Sequence, residues 1–356
     1  MKILNLFFDA YDSLRNLFTR NSASKSERSG FLASVIPAVI LLLLIITLAL
    51  GFYWDTEPDS FDPLENASRL ASERNEEMTT GYITTATLIK TAETMLDKRG
   101  GYLSNDMLPP GLLMDNIPNW EFGVLTQVRD LTLALRNDIT RSQSQSIEDK
   151  DINTAENKFR IDSDSWMLPP AESEYRSAIK ALYRYLGRLA DSNTKDVQFY
   201  ARADNLGEWL GLISKRLGSL SQRLSASVGQ ARLNTDLAGD PDALQSTPAD
   251  KMLEVKTPWL LIDDIFYEAR GSAWALSHLL KAAEVDFQDI LKKKNALVSL
   301  QQIVRELDAT QETVWSPMIL NGSGFGTFAN HSLVMANYIS RANAAVIDLR
   351  RLLKNG

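Results

Sequence analysis

Few groups in this chain are equipped for chemistry. His278 and His331 are the whole imidazole complement of 356 residues, and cysteine is absent. Thiol nucleophiles and thiolate metal sites are therefore excluded. His278 lies in "WALSHLL" on an apolar helical face, where a hydrogen-bonded structural role outweighs ligation. His331 follows "GTFAN" near a helix start. Neither belongs to an HExxH pattern or has a second ligand at suitable spacing, so no metal or other cofactor is expected. No GxSxG nucleophile elbow occurs. "GSGFGTF" at 322–328 lacks the lysine and the preceding strand of a phosphate loop and reads as a helix C-cap and turn. One acid pair remains, Asp264 and Glu268 in "LIDDIFYEARG", on one helical face near Trp259 and Tyr267. Two carboxylates held about 5–10 Å apart in a cleft can cleave glycans. The weightier reading puts Asp263 and Asp264 in a first helical turn, where they complement the dipole.

A second cluster is the loop "GGYLSNDMLPPG". Tyr102, Asn105, Asp106, Pro109 and Pro110, with Trp120 and Trp166 on neighbouring breaks, form a candidate interaction surface. The plainer alternative is that Asn105 and Asp106 cap a turn.

Helices must position these groups. Leu206, Leu210, Ile213, Leu217, Leu220 and Leu224 step by three and four, as do Tyr175, Ile179, Leu182, Leu186 and Leu189. Such stripes are the buried faces of packed helices, and strand alternation is nearly missing. Helices are expected near 79–98, 121–159, 172–191, 196–234, 258–288, 289–313 and 328–354. The very polar run 141–160 is either an exposed extension or a mobile segment. Breaks at 98–120, 162–170, 238–259 and 314–328 combine Pro or Gly with large apolar residues. Their aromatics imply that the linkers fold back on the bundle, in a degenerate repeat of helical hairpins.

Ahead of this body, residues 31–54 carry no charge. As a helix the run reaches about 36 Å, enough to cross a bilayer core of about 30 Å. A cleaved signal has a shorter apolar region of about 7–15 residues, and Phe52, Tyr53 and Trp54 suit a headgroup belt, so an uncleaved anchor is expected. Lys25 and Arg28 precede the run, while Asp55, Glu57, Asp59 and Asp62 follow it. The positive flank places the N-terminus inside and residues 55–356 outside, in the periplasm if the cell is a bacterium. The first twenty residues form an amphipathic stripe, read as an interfacial helix on the cytoplasmic leaflet or one that docks on a partner. The expected division is 1–30 cytoplasmic segment and linker, 31–54 transmembrane helix, 55–78 polar stalk and 79–356 helical domain.

Residues 55–356 hold 33 Lys and Arg against 42 Asp and Glu, which argues against nucleic acid as a partner. The expected fold is all-α: one N-terminal transmembrane helix, then an elongated periplasmic bundle of helical hairpins standing away from the membrane. The expected function is a membrane-anchored interaction or scaffolding protein of the cell envelope with an envelope protein partner. Two alternatives stay open: a carboxylate-dependent cell-wall glycan enzyme, and a ligand-sensing subunit with a small apolar pocket lined by Trp and Tyr.

Several stretches together resemble one family: the apolar run with "YWDTEPDSF", then "GYITTATLIKTAETMLDKRGGYLSNDMLPPG", "IPNWEFGVL", "DSWMLPPAESEY" and "RADNLGEWL". They resemble the bacterial inner-membrane proteins grouped as domain of unknown function family 2333. The resemblance implies a bacterial inner membrane and a periplasmic domain, and it supplies no catalytic residue.

Overall fold

In the computed structural model, the described residues are 25–141, 147–191, 197–233, 252–316 and 318–355. The amphipathic stripe expected over the first twenty residues lies outside them. The first element is α1 (Lys25–Trp54), 30 residues long and so about 45 Å. Its segment Val35–Trp54 has a mean hydropathy of 2.9 and is not buried within the body. Pro37 lies well inside this helix.

The body is built from α2 (Pro63–Arg74), α3 (Tyr82–Asp97), α4 (Asn116–Ala134), α5 (Lys150–Phe159), α6 (Ala171–Ala190) and α7 (Ala203–Ser225). It continues through α8 (Ile262–Asp286), α9 (Gln288–Lys293), α10 (Leu297–Ala309) and α11 (His331–Asn355). One short antiparallel ribbon, β1 (Gln230–Leu233) with β2 (Met252–Val255), interrupts the helices between α7 and α8.

The centre of the body is α8. Every residue from Ala269 to Leu280 is buried, which fits a helix that, Arg270 and His278 apart, is apolar or small all round. It packs on α4 most heavily and also on α3 and α10. Elsewhere α7 pairs with α11, and the neighbours α5 and α6 pair with each other. Sequential neighbours therefore account for part of the packing, and long-range pairs for the rest. The α4–α8 crossing is set by two glycines. A Cβ on Gly123 would lie 2.2 Å from the Glu268 carbonyl oxygen, and one on Gly271 would lie 2.0 Å from that of Trp120. Backbones at such separations leave no room for any side chain. Trp120, Trp209 and Trp274 are fully buried and anchor the core.

The segment expected as a stalk is instead part of the body. Helix α2 has Pro63 in its first turn, and the Asp62 carboxylate accepts from the Glu65 amide at 2.8 Å. But Glu57 receives the Arg270 guanidinium through contacts of 2.6–3.0 Å. Phe61 stacks on His278 with centroids 4.2 Å apart. An acidic, proline-containing composition looked solvated. Burial of its partners on α8 holds it down instead.

Candidate functional site

The "RGGY" turn explains how the loop after α3 is held. Gly100 and Gly101 have φ of +83° and +77°, a region that side chains disfavour, and a Cβ on Gly100 would meet Trp54 at 2.7 Å. Glycine thus serves both the turn and the approach of the end of α1. Behind the turn lies a buried ion pair, Lys98 with Glu121, in which neither side chain is more than 1% exposed. The Glu121 carboxylate also accepts from the amides of Leu103 and Ser104, each at 2.9 Å, and from the Ser104 hydroxyl. Burial pushes the Glu121 carboxyl up, while Lys98 and these donors oppose the shift. This clamp was missed in the sequence, where Lys98 and Glu121 are separated by an irregular loop.

The loop then ties itself to its neighbour. Tyr102 is buried and donates to the Ser163 carbonyl at 2.9 Å. Asn105 is also buried, and its amide donates to the Ser165 carbonyl at 2.9 Å and to Glu172 at 2.7 Å. Asp106 is half-buried, and burial with nearby Glu172 raises its pKa. Pro109 and Pro110 are joined by a cis peptide, with Pro109 exposed and Pro110 buried. Pro110 lies under Gly51 of α1. A shallow cavity of about 240 Å³ there is lined by Leu48, Phe52, Pro110 and Leu113 among others. The polar residues of the loop therefore face inward, and what it presents outward is apolar: Met107, Leu108, Leu112 and Leu113.

The same holds at the other breaks, and it corrects the expectation that their aromatics fold back. Trp120 does so, but Trp166, Trp259 and Trp315 are 53%, 71% and 93% exposed. Trp166 lies in the loop before α6, Trp259 opens a 3-10 turn before α8, and Trp315 lies in the long segment between α10 and α11. "GSGFGTF" forms a turn ahead of α11 rather than a helix C-cap. There Asn330 donates to the Gly322 carbonyl and accepts from the Leu333 amide.

The acid pair is divided between different partners. Asp264 accepts from the Asn119 amide at 2.9 Å, and burial with Asp115 and Asp263 nearby pushes its pKa up to about 6. Glu268 takes both arms of the Arg223 guanidinium, one at 2.6 Å. It lines a cavity of about 310 Å³ with Phe122, Gln127, Arg216 and Arg223, and Asp264 is not on that wall. His278 is buried with both ring nitrogens engaged. Nε2 accepts from the Phe61 amide at 3.0 Å, and Nδ1 lies 2.6 Å from the Trp274 carbonyl. That arrangement requires the neutral ring with its proton on Nδ1, and burial lowers the pKa to about 4. His331 accepts from the Leu320 amide through Nδ1, 3.1 Å away, and burial lowers its pKa too. Among the described residues no group of three or more His, Asp or Glu could hold a metal ion.

A second feature that sequence reasoning missed is Arg270. It is buried, grips Glu57, and donates to the carbonyls of Thr310 and Glu312 at 2.9 Å each. A lone arginine in the otherwise apolar "ARGSAWAL" was the available signal. Beside it, a cavity of about 510 Å³ is lined by Phe266, Trp315, His331, Met335 and Tyr338.

Together these features define a helical protein with one long, uncovered apolar N-terminal helix, docked by its end onto a body whose loops are polar inside and greasy outside. Residues 24–356 match the model of a family described as uncharacterized protein conserved in bacteria (DUF2333), and the chain belongs to that family. No curated protein and no solved structure matches the chain.

Proposed function

We propose that this is a single-pass protein of the bacterial inner membrane, with its N-terminus in the cytoplasm and its body in the periplasm. There the body acts as an interaction or scaffolding unit of the cell envelope. The observation that carries the reading is α1 itself. Its segment Val35–Trp54 is long and apolar enough to cross a bilayer, and the body buries none of it, meeting only its last turns. The flanking charges, basic before and acidic after, supply the orientation. The Glu57–Arg270 clamp, close after Trp54, supports an uncleaved helix, because the chain leaving α1 is built into the core. The candidate surface for interaction is the outward side of the same loop, Asp106, Met107, Leu108 and Pro109, with Trp166 beside it, since Tyr102, Asn105 and Pro110 are buried. A glycan hydrolase gains no support from Asp264 and Glu268, since Glu268 is neutralised by Arg223.

The ligand-sensing alternative has one observation in its favour. The cavity walled by Phe266, Trp315, Met335 and Tyr338, with Arg270 at its edge, suits a small apolar or amphipathic acid.

The orientation is tested with reporter enzymes joined after Gly356. One that works only outside the cytosol should be active, and one that works only inside should be silent. The opposite pattern overturns the compartment and the partner class together.

A further inference from the structure

Among the described residues, those of the four Pro- and Trp-containing breaks lie toward one end of the body, the end where α1 enters. On leaving α1 the chain runs beside α8: Glu57 meets Arg270, and four residues later Phe61 meets Trp274 and His278. The α8 N-terminus therefore points back toward α1. From Arg270 to Leu260 is about 15 Å along the helix, and from Glu57 to Gly51 is about the same along the chain. Leu260 is thus level with the last turns of α1, inside its apolar span.

The other loops reach the same level. Pro110 and Gly51 line one cavity, and Arg99 covers the Tyr53 ring at 5.2 Å. The 162–170 loop is tied to the Pro110 loop through Tyr102 and Asn105. The 314–330 loop reaches this end through Asn321, which donates to the Ser227 carbonyl at 2.9 Å. The adjacent Ala226 carbonyl takes the Thr257 amide, just before α8. The tips are among the most exposed apolar side chains of the body: Leu108 at 76%, Leu168 at 87%, Leu260 at 74%, with Phe325 fully exposed; Val298 on α10, at 76%, stands alone. Elsewhere exposed apolar residues are mostly single, as is usual of any surface.

We propose that these tips form a collar that inserts into the outer interface of the bilayer that α1 spans, so that this end of the body rests in the membrane surface. The inference rests on the reading of α1 as a membrane span. Its occupant is lipid, because the patch is continuous with the emerging apolar helix and consists of Leu, Met, Phe and Trp at turn apices. Attraction to anionic headgroups plays no part: Asp106, Asp115, Asp263 and Asp264 stand among the tips. Insertion is consequently insensitive to salt and to the anionic lipid fraction.

The absence of native cysteine makes the test direct. In the full chain, single cysteines replace Leu108, Leu168, Leu260 and Phe325 in turn, and each carries an environment-sensitive fluorophore. Leu44 in α1 and Lys293, an exposed residue beyond the α8 C-terminus, serve as controls. The proteins are reconstituted in phosphatidylcholine vesicles, with and without phosphatidylglycerol, containing lipids that carry a nitroxide near the top of the acyl chain. The tips should lose about half or more of their emission, as expected for insertion to about 5–10 Å, while Lys293 loses none. If Leu44 is quenched and the tips are not, the collar is overturned and the anchor reading survives. If Leu44 is also unquenched, the anchor reading fails first. Tips shielded from aqueous iodide yet unquenched by lipid would mean a protein covers them, which equally overturns the proposal.

Discussion

At the residue scale the sharpest expectation concerns His278. Its Nε2 accepts the Phe61 amide, so a proton on that nitrogen would set donor against donor and release the segment that joins α1 to the body. In the unfolded chain the ring titrates near its ordinary value of 6.5; in the folded protein burial holds it at about 4. The unfolded state therefore takes up the proton first as pH falls. Stability from this residue is complete above 6.5 and is lost toward 4, with about 2 kcal/mol gone by pH 5. Asp264, Asp55 and Asp286 work in the opposite sense. Their pKa values are raised chiefly by burial, so protonation favours the folded state and acidification toward pH 4 relieves a cost. Denaturant unfolding of the full chain in detergent at pH 7 and pH 5 separates the two. His278→Gln keeps an acceptor for Phe61 and does not titrate. It should gain stability relative to the parent on moving to pH 5. An unchanged gap between the two proteins would show that His278 is not the group responsible.

At the scale of elements, the three-and-four stripes located the helices because a helix in a packed body must bury one face. The expectation of 172–191 became α6 at Ala171–Ala190, and 328–354 became α11 at His331–Asn355. Long expectations were cut where local chemistry intervened. The helix read over 121–159 ends in a turn of π-helix at Leu135–Ile139, and α5 begins afresh with Asp149 capping the amides of Asp151 and Ile152. The helix read over 289–313 breaks at Asn295, whose φ is +50°. The polar stretch from 147 to 160 proved amphipathic, with Ile152, Ala155 and Phe159 buried. In the candidate loop, "GGYLSNDMLPPG" was recognisable by composition, but not that Tyr102 and Asn105 would turn inward, since their partners Ser163, Ser165 and Glu172 are some sixty residues away. Gly123 and Gly271 were silent for a similar reason, because a glycine announces a close crossing only once its opposing backbone is known. They now carry a prediction. Gly271→Ala should cost about 3 kcal/mol or more, because the Cβ meets a backbone carbonyl that cannot rotate away. Gly207→Ala, on an open face of α7 with nothing within 4 Å, should be neutral or slightly stabilising by helix propensity. Thermal unfolding of both variants measures this, and equal midpoints would contradict the crossing described.

At the scale of the whole molecule, the body has a buried, tryptophan-anchored core and an end that it leaves greasy. Those two facts determine how residues 55–356 should behave without α1. The core does not involve α1: Trp120, Trp209 and Trp274 are buried by the body, and the Glu57–Arg270 clamp lies within it. A fragment beginning at Asp55, secreted through a cleavable signal, should therefore fold and show a helical far-UV circular dichroism spectrum. Mainly sheet signal would refute the architecture. The loop tips, however, lose both α1 and its bilayer. Each exposed leucine gains up to about 2 kcal/mol on leaving water, so the fragment has a strong reason to cover that end. It should self-associate in buffer, or hold detergent, as measured by light scattering on a sizing column. Substituting the tips, Leu108→Ser with Leu168→Ser and Leu260→Ser, removes apolar area without touching a buried contact, so the helical spectrum should persist while association falls away. A fragment that is monomeric and detergent-free with its tips intact would mean that this end of the body is at ease in water, and that its leucines and tryptophans face solvent in the cell as well.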